Sequence, residues 1–297
     1  MSLLHLDLRA WTVGGPVAAE VGIFDDDGSP LSRDAFASRI AGKHLVLVTH
    51  GFNVTSSNGT VALKGWKQLA SLKEPCVFVG LLWPGDSLFL PVLDYPVEAS
   101  VAMQSAALLA KFLMTNASAV TAISMVSHSL GARVVLETAN RLAPRPINTL
   151  VLMAGAIEDN CLAAEYSDIP KNVQRIRLVA SRRDLVLEYA FPLGNPIGEL
   201  IARGHPYFRQ ALGREGAYPA PTDCADFQHW QIPDAPNDWK YGHGDYMPHK
   251  PIPAERARSI PAPLTPPSSN DPAPVGDDLI GCEWSAAVIA TQWINDF

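Results

Sequence analysis

The amino-acid sequence predicts an α/β fold with a mostly parallel central sheet and helices on both faces. The first observation is a series of short, continuous apolar runs, which are typical of strands buried on both faces. The second is that amphipathic segments of helical period separate these runs. The third is the composition: 47% of the 297 residues are hydrophobic and 18% are charged, as in a folded globular chain. In such a sheet, ligands bind at the carboxyl ends of the strands.

The first forty residues have a different pattern from the remainder. Two short alternating segments, Leu4–Leu8 and Val17–Phe24, are separated by Gly14 and Gly15. This pattern predicts an antiparallel hairpin at the edge of the sheet.

Continuous apolar runs then predict the buried strands in order. The runs are Lys43–Asn53, Cys76–Trp83, Val120–Ser127, Thr149–Ala154 and Arg175–Ala180, and Ala225–Ile232 is expected to form the final strand. Helices are predicted between them, one with Ala62, Trp66 and Leu69 on one face, a long one capped by Asp94, and Leu130–Leu142. Strands that alternate with helices predict right-handed crossovers.

The domain organisation is predicted from shifts in composition. Residues 1–247 are expected to form the α/β domain, within which residues 190–221 hold 10 glycines and prolines among apolar residues and form a cap or long loop. Residues 248–278 are rich in proline and are expected to be extended. Residues 279–297 are expected to form a C-terminal helix, over Glu283–Ile294, that docks on the domain.

Charge and composition exclude several classes of function. The 23 basic and 30 acidic residues leave a net charge of -7, with no basic cluster for nucleic acid. No apolar run reaches the roughly 18 residues of a membrane span, and the N-terminus lacks the apolar core of a signal peptide, so we expect a cytoplasmic protein. The four cysteines lack Cys-x-x-Cys spacing, which favours buried thiols over a metal site, and no cofactor is expected. The oligomeric state is left open.

The strongest chemical signal is Ser127-His128-Ser129-Leu130-Gly131. It lies where a predicted strand turns into a helix, and a serine on such a tight turn exposes its hydroxyl above the sheet. The pattern departs from Gly-x-Ser-x-Gly because Ser127 replaces the first glycine, although serine is also small. The alternative is a serine that merely caps the helix.

A second signal is His50-Gly51-Phe52-Asn53, at the same sheet edge. Loops at this place supply one backbone N–H of an oxyanion hole, and the residue after the nucleophile supplies the other. Phe52 and Leu130 are therefore the expected donors. The His50 imidazole is interpreted as structural.

A nucleophilic serine needs a base and a group that orients the base. Asp184, which follows the strand Arg175–Ala180, is the leading acid, and His243, in a glycine-flanked loop, is the leading base. Glu158 and Asp159 are rival acids, and a surface ion pair with Arg182 or Arg183 is the alternative role for Asp184. His229 and His249 are assigned to packing or solvent.

With these motifs in order, the chain resembles the α/β-hydrolase family, and within it the bacterial esterase/lipase-type serine hydrolases of undefined function. The resemblance covers roughly residues 43–247 and rests on the two motifs above, Leu82-Trp83-Pro84, Ser181-Arg182-Arg183-Asp184 and His243-Gly244-Asp245-Tyr246. It implies a triad of Ser129, Asp184 and His243, and a carboxylic ester or related small acyl substrate.

Apolar residues near the predicted site are candidates for the substrate pocket, namely Leu88, Phe89, Phe191 and Leu193. A thioesterase or serine peptidase would use the same triad. A non-catalytic binding domain that kept the fold is the alternative from another class.

Overall fold

The computed structural model describes residues 3–86, 91–191, 209–232, 242–248 and 285–295. Eight strands form one sheet in these residues, in the spatial order β2-β1-β4-β3-β5-β6-β7-β8. The strands are β1 (Leu4–Arg9), β2 (Val17–Phe24), β3 (His44–Thr49), β4 (Cys76–Leu82), β5 (Ala122–His128), β6 (Ile147–Met153), β7 (Val173–Ala180) and β8 (Asp226–Gln231). The predicted fold class is confirmed.

The N-terminal hairpin is confirmed and continues the sheet. β1 pairs antiparallel with β2 and parallel with β4, so β2 is the edge strand on this side of the sheet and β8 is the edge strand on the other. The other neighbouring pairs are all parallel. The carboxyl ends of seven strands therefore meet at one edge of the sheet.

Seven α-helices are described around the sheet: α1 (Arg33–Ile40), α2 (Ser56–Leu69), α3 (Pro91–Asn116), α4 (Gly131–Leu142), α5 (Ile169–Asn172), α6 (Leu212–Glu215) and α7 (Ser285–Asn295). The assignment of Asp94 as a helix cap is wrong, because α3 begins three residues earlier, at Pro91. α1 was not predicted; Ser32 caps it, its side chain accepting from the Ala35 N–H.

The core lies on the central strands. Every residue of β3 and β4 is buried, which is the reason for their continuous apolar sequence. Trp66 from α2 and Phe78 from β4 are fully buried with their ring centroids 5.8 Å apart. This core holds the strand ends, and the loops that follow them, in fixed positions.

Two of the predicted regions are described only in part. In the predicted cap, residues 192–208 lie outside the described residues, whereas α6 packs against the turn after β6: Gly213 N–H donates to the Gly155 carbonyl at 2.9 Å. Residues 249–278 of the proline-rich segment also lie outside them, as do His249, Cys282, Glu283 and Trp284.

The C-terminal helix α7 contacts the end of α2. Trp293 and Ile294 are buried in the common core. The Asn295 side chain donates to the Ser71 carbonyl at 2.8 Å and accepts from the Lys73 N–H at 2.9 Å. Across the described part of the chain, no helix has both the length and the apolarity that a bilayer crossing requires.

Candidate active site

Three non-glycine residues with positive φ lie at the carboxyl edge of the sheet. They are Asn53 after β3 (57°), Ser129 after β5 (54°) and Ala154 after β6 (47°). Such φ values are uncommon for residues with a Cβ, and they cluster at functional sites where the surrounding structure enforces them. The strained backbone therefore marks this edge as the candidate site.

The turn between β5 and α4 has the geometry expected of a nucleophile elbow. Ser129 N–H donates to the Met153 carbonyl at 3.0 Å, and the Ser129 carbonyl accepts from Ala156 N–H at 3.1 Å. Gly131 has no room for a side chain, because a Cβ there would lie 2.5 Å from the His50 carbonyl oxygen. Ser127 fits at the first glycine position, fully buried, with its hydroxyl 3.4 Å from the Val151 carbonyl.

The helix-cap alternative for Ser129 has no support. The N-cap of α4 is Leu130, and no side-chain hydrogen bond caps the helix. The Ser129 hydroxyl bonds instead to a side chain from a distant part of the chain.

The structure brings Ser129, His243 and Asp184 together. His243 Nε2 lies 2.8 Å from Ser129 Oγ, and His243 Nδ1 lies 2.7 Å from Asp184 Oδ2. A carboxylate can only accept, so Nδ1 donates to Asp184 and Nε2 is left to accept the serine proton. This is the tautomer that a general base requires.

Asp184 is buried and held by its neighbours. Its side chain is 0% exposed, and Oδ1 accepts from the Leu187 N–H at 3.0 Å. The alternative of a surface ion pair is excluded by this burial, and Arg182 lies 3.3 Å from Glu215 instead.

The rival acids have other partners. Glu158 lies 3.4 Å from the Arg133 guanidinium, and Asp159 accepts from Arg209 Nε at 2.5 Å. Neither carboxylate is hydrogen-bonded to His243. Of the three candidate acids, only Asp184 has this contact.

The sequence interpretation missed a contact of His128, which lies within the elbow. Its Nε2 donates to the His243 carbonyl at 2.8 Å, and the two rings lie 4.8 Å apart. Burial, and then the neighbouring His243, lower the pKa of His128 well below its usual value. The imidazole is therefore neutral and tethers the loop that carries His243. Its position next to Ser129 in the motif was the available signal.

The loop after β3 lies against the serine. A Cβ at Gly51 would be 2.6 Å from the Ser129 Cβ, so only glycine lets the two backbones approach. Phe52 follows Gly51 and is partly buried, and the buried Leu130 follows Ser129. Both predicted oxyanion donors are thus sequence neighbours of this contact.

His50 has structural contacts, as the sequence predicts. Its Nδ1 donates to the Gly51 carbonyl at 2.8 Å, and Nε2 accepts from the Trp83 N–H at 3.3 Å. Burial lowers the pKa of His50 to about 3. The ring holds the two loops together as a neutral group.

The remaining candidates stay predictions or have no part in the triad. Phe191 is 2% exposed and packs in the core, whereas Leu88, Phe89 and Leu193 lie outside the described residues. His229 lies on β8, with no hydrogen bond to the triad. Within the described ranges, no group of three or more His, Cys, Asp or Glu side chains could hold a metal ion.

Comparison with protein families finds a match to "Alpha/beta hydrolase of unknown function (DUF900)" over residues 32–245. No curated protein matches.

Several solved structures are similar. Esterase PE8 is 18% identical, with 69% of this chain and 86% of that one covered and a TM-score of 0.37. Acetyl xylan esterase 1 from a Thermoanaerobacterium species is 13% identical, with 81% and 82% covered and a TM-score of 0.40. A structure described under the metagenome-derived lipolytic enzymes LipS and LipT is 11% identical, with 65% and 85% covered and a TM-score of 0.40. Structural similarity at these sequence identities and TM-scores carries no information about the substrate of this chain.

Proposed function

The chain belongs to a family of α/β hydrolases of unknown function, and we propose that it is a serine hydrolase that cleaves a carboxylic ester or related acyl substrate. The observation that carries this proposal is the continuous hydrogen-bond chain from Ser129 through His243 to Asp184. A serine with a purely structural role needs neither a base nor a buried acid behind that base.

The proposed reaction has two halves. His243 Nε2 takes the hydroxyl proton while Ser129 Oγ attacks the substrate carbonyl, and Asp184 stabilises the resulting imidazolium. The leaving group takes that proton as its bond to the acyl carbon breaks, leaving an acyl-serine. Water, deprotonated by His243, then attacks the acyl-serine. The bond from the acyl carbon to Ser129 Oγ breaks, His243 returns the proton to Oγ, and the acid is released.

The developing oxyanion would be bound by the backbone N–H groups of Phe52 and Leu130. Donors of this kind act on charge that exists only in the transition state, and one such donor can contribute about 10²–10³ in kcat. The close contact of Gly51 with Ser129 supports the assignment, because it brings the loop beside the attacking hydroxyl.

The test combines turnover with active-site labelling. The purified chain is incubated with short p-nitrophenyl esters and, separately, with a fluorophosphonate probe. We expect hydrolysis and labelling by the wild type, and loss of both in Ser129→Ala and His243→Ala. Ser105→Ala is the matched control, because it removes a buried serine hydroxyl from α3; it should keep both signals. Circular dichroism checks that each variant is folded.

Other outcomes have definite meanings. Labelling that persists in Ser129→Ala places the nucleophile elsewhere. Turnover of thioesters or amides in preference to esters indicates a thioesterase or peptidase with the same triad. A folded wild-type chain that is neither labelled nor active across all three substrate classes is a non-catalytic binding domain.

A further inference from the structure

A buried ion pair joins the N-terminal hairpin to the loop after β4. Arg9, at the end of β1, pairs with Asp86, and their side chains are 1% and 2% exposed. Removing two charges from water is costly unless the geometry is excellent and further hydrogen bonds are made. Arg9 also precedes the residues that match the family. The family match therefore does not explain why the chain has this buried pair.

The hydrogen bonds of the pair extend to the loop after β3. Arg9 Nη2 donates to the Val54 carbonyl at 2.5 Å, while Asp86 Oδ2 accepts from the Gly14 N–H at 2.8 Å. Next to Asp86, the Gly85 carbonyl accepts from the Asn53 N–H at 2.6 Å. Of two consecutive residues of the β3 loop, Val54 is therefore bonded to Arg9 itself, and Asn53 is bonded to the residue that precedes Asp86.

This loop is the one that contacts the nucleophile. Gly51 lies against Ser129, and Asn53 has a strained φ of 57°. A strained conformation persists only where the surrounding contacts enforce it. The bonds to Asn53 and Val54 supply such contacts, two and three residues after Gly51.

We propose that Arg9 and Asp86 form a positioning pair, which holds residues 51–54 so that the Phe52 N–H meets the oxyanion formed on Ser129. This inference rests on the proposed function. The pair touches neither substrate nor reacting atoms and acts through the loop. The N-terminal hairpin thereby helps to position the loop that carries Phe52.

A second arginine–aspartate pair, whose arginine is buried and whose aspartate is 42% exposed, provides a control for the same chemical change. Arg177 on β7 bonds to Asp226, with Nη2 2.5 Å from Oδ2, and Asp226 begins β8 at the opposite end of the strands from Ser129. Asp86→Asn and Asp226→Asn make the same chemical change. Asp86 is linked to the β3 loop through Arg9 and through the neighbouring Gly85, whereas the hydrogen bonds of the Asp226 side chain go to Arg177 and Gln228.

The experiment measures kcat, KM and inhibition by a trifluoromethyl ketone, whose serine adduct carries an oxyanion. For Asp86→Asn we expect kcat for a p-nitrophenyl ester to fall about 10- to 100-fold, the loss that a misplaced group can cause, with KM changed less than about twofold. The ketone should bind more weakly by a similar factor. Asp226→Asn should retain wild-type kcat and ketone affinity. Arg9→Lys, which keeps the positive charge but not the two-nitrogen fork, is the second variant if Asp86→Asn does not fold, with the same expectation.

Hydrogen exchange of the full chain tests the positioning without turnover. Peptides that contain the Asn53 amide should exchange faster in Asp86→Asn than in the wild type or Asp226→Asn. Unchanged exchange there, or wild-type kcat and ketone affinity in Asp86→Asn, overturns the inference. An inactive, unlabelled wild type whose Asn53 exchange still responds to Asp86→Asn refutes the proposed function and leaves the pair as a structural clamp of the loop.

Discussion

At the scale of single residues, the candidate site depends on close backbone approaches. Ser129 can adopt its strained φ because the end of β6 binds its N–H and the turn after β6 binds its carbonyl. Glycine is required at two close contacts between the β3 loop and the elbow. Gly51 faces the Ser129 side chain, and Gly131 faces the His50 carbonyl. The positions with no room for a methyl group are therefore informative about mechanism.

Gly51→Ala is expected to reduce ester turnover by about 10²-fold, because the new Cβ would lie 2.6 Å from the Ser129 Cβ and must displace the loop. Steady-state kinetics measure the effect. Gly244→Ala is the control, since a Cβ there meets nothing within 4 Å although the residue adjoins His243. Equal activity of the two variants would argue against a functional role of the Gly51 contact.

Asp184→Asn is expected to lower kcat by about 10⁴, because the amide cannot hold His243 in the tautomer that accepts the serine proton. Glu158→Gln, which changes a carboxylate bonded to Arg133, should keep wild-type kcat to within a few-fold once folding is verified. If Glu158→Gln lost ester turnover and Asp184→Asn kept it, Glu158 would be the orienting acid.

At the scale of elements, helix α7 joins the core through both packing and end contacts. Ala286, Ile289 and Trp293 are buried, and Asn295 bonds to the turn after α2 in both directions. Burial of one large apolar side chain contributes roughly 1.5–3 kcal/mol. The helix should therefore add measurably to the free energy of unfolding.

Removing residues 285–297 is expected to lower the melting temperature by more than about 5 °C, since a loss of 1 kcal/mol shifts the Tm of a domain of 150–250 residues by about 2–4 °C. Asn295→Ala should lower the melting temperature less, because each hydrogen bond lost costs about 1 kcal/mol of the free energy of unfolding. Differential scanning fluorimetry suffices for both variants. An unchanged melting temperature after the truncation would show that α7 adds nothing to the stability of the core.

At the scale of the whole molecule, buried histidines couple stability to pH. Burial is the largest cause in each case: it lowers the pKa of His5 and of His44 to about 4, that of His50 to about 3, and that of His128 well below its usual value. All four side chains are buried in the fold. The unfolded chain therefore binds more protons than the folded chain between about pH 4 and 6.5.

The sign of the pH effect follows from these depressed values. The stability that the neutral histidines contribute is fully present above about pH 6.5 and is lost as the pH falls toward 4, at about 1.4 kcal/mol per pH unit for each group. Urea midpoints should thus be lower at pH 5 than at pH 7.5. His5→Phe should reduce the number of protons taken up on unfolding by about one, because it removes one group with a lowered pKa. It breaks no hydrogen bond, since neither His5 ring nitrogen has a hydrogen-bond partner among the described residues. A urea midpoint of the wild type that does not change between pH 5 and pH 7.5 would contradict the lowered pKa values of the buried histidines.

Most of the fold could be predicted from the sequence because the strands are buried on both faces and their apolar runs are continuous. The periodic helices α2 and α4 were recognised for a similar reason. α1 was missed because only Phe36 and Ile40 face the core, too few to give a pattern. The Asp94 cap was wrong because helix boundaries depend on local backbone contacts that the pattern does not contain.

The sequence by itself determined the α/β fold class, the elbow at Ser129 and the order of the candidate acid and base, since these depend on local pattern and chain order. Tertiary structure decided which carboxylate meets His243, because Glu158, Asp159 and Asp184 all follow parallel strands and differ only in their partners in space. It also decided the contacts of His128 and of the Arg9–Asp86 pair. Residues 77 positions apart become one buried pair only when parallel strands bring their ends together, and no local pattern encodes that distance.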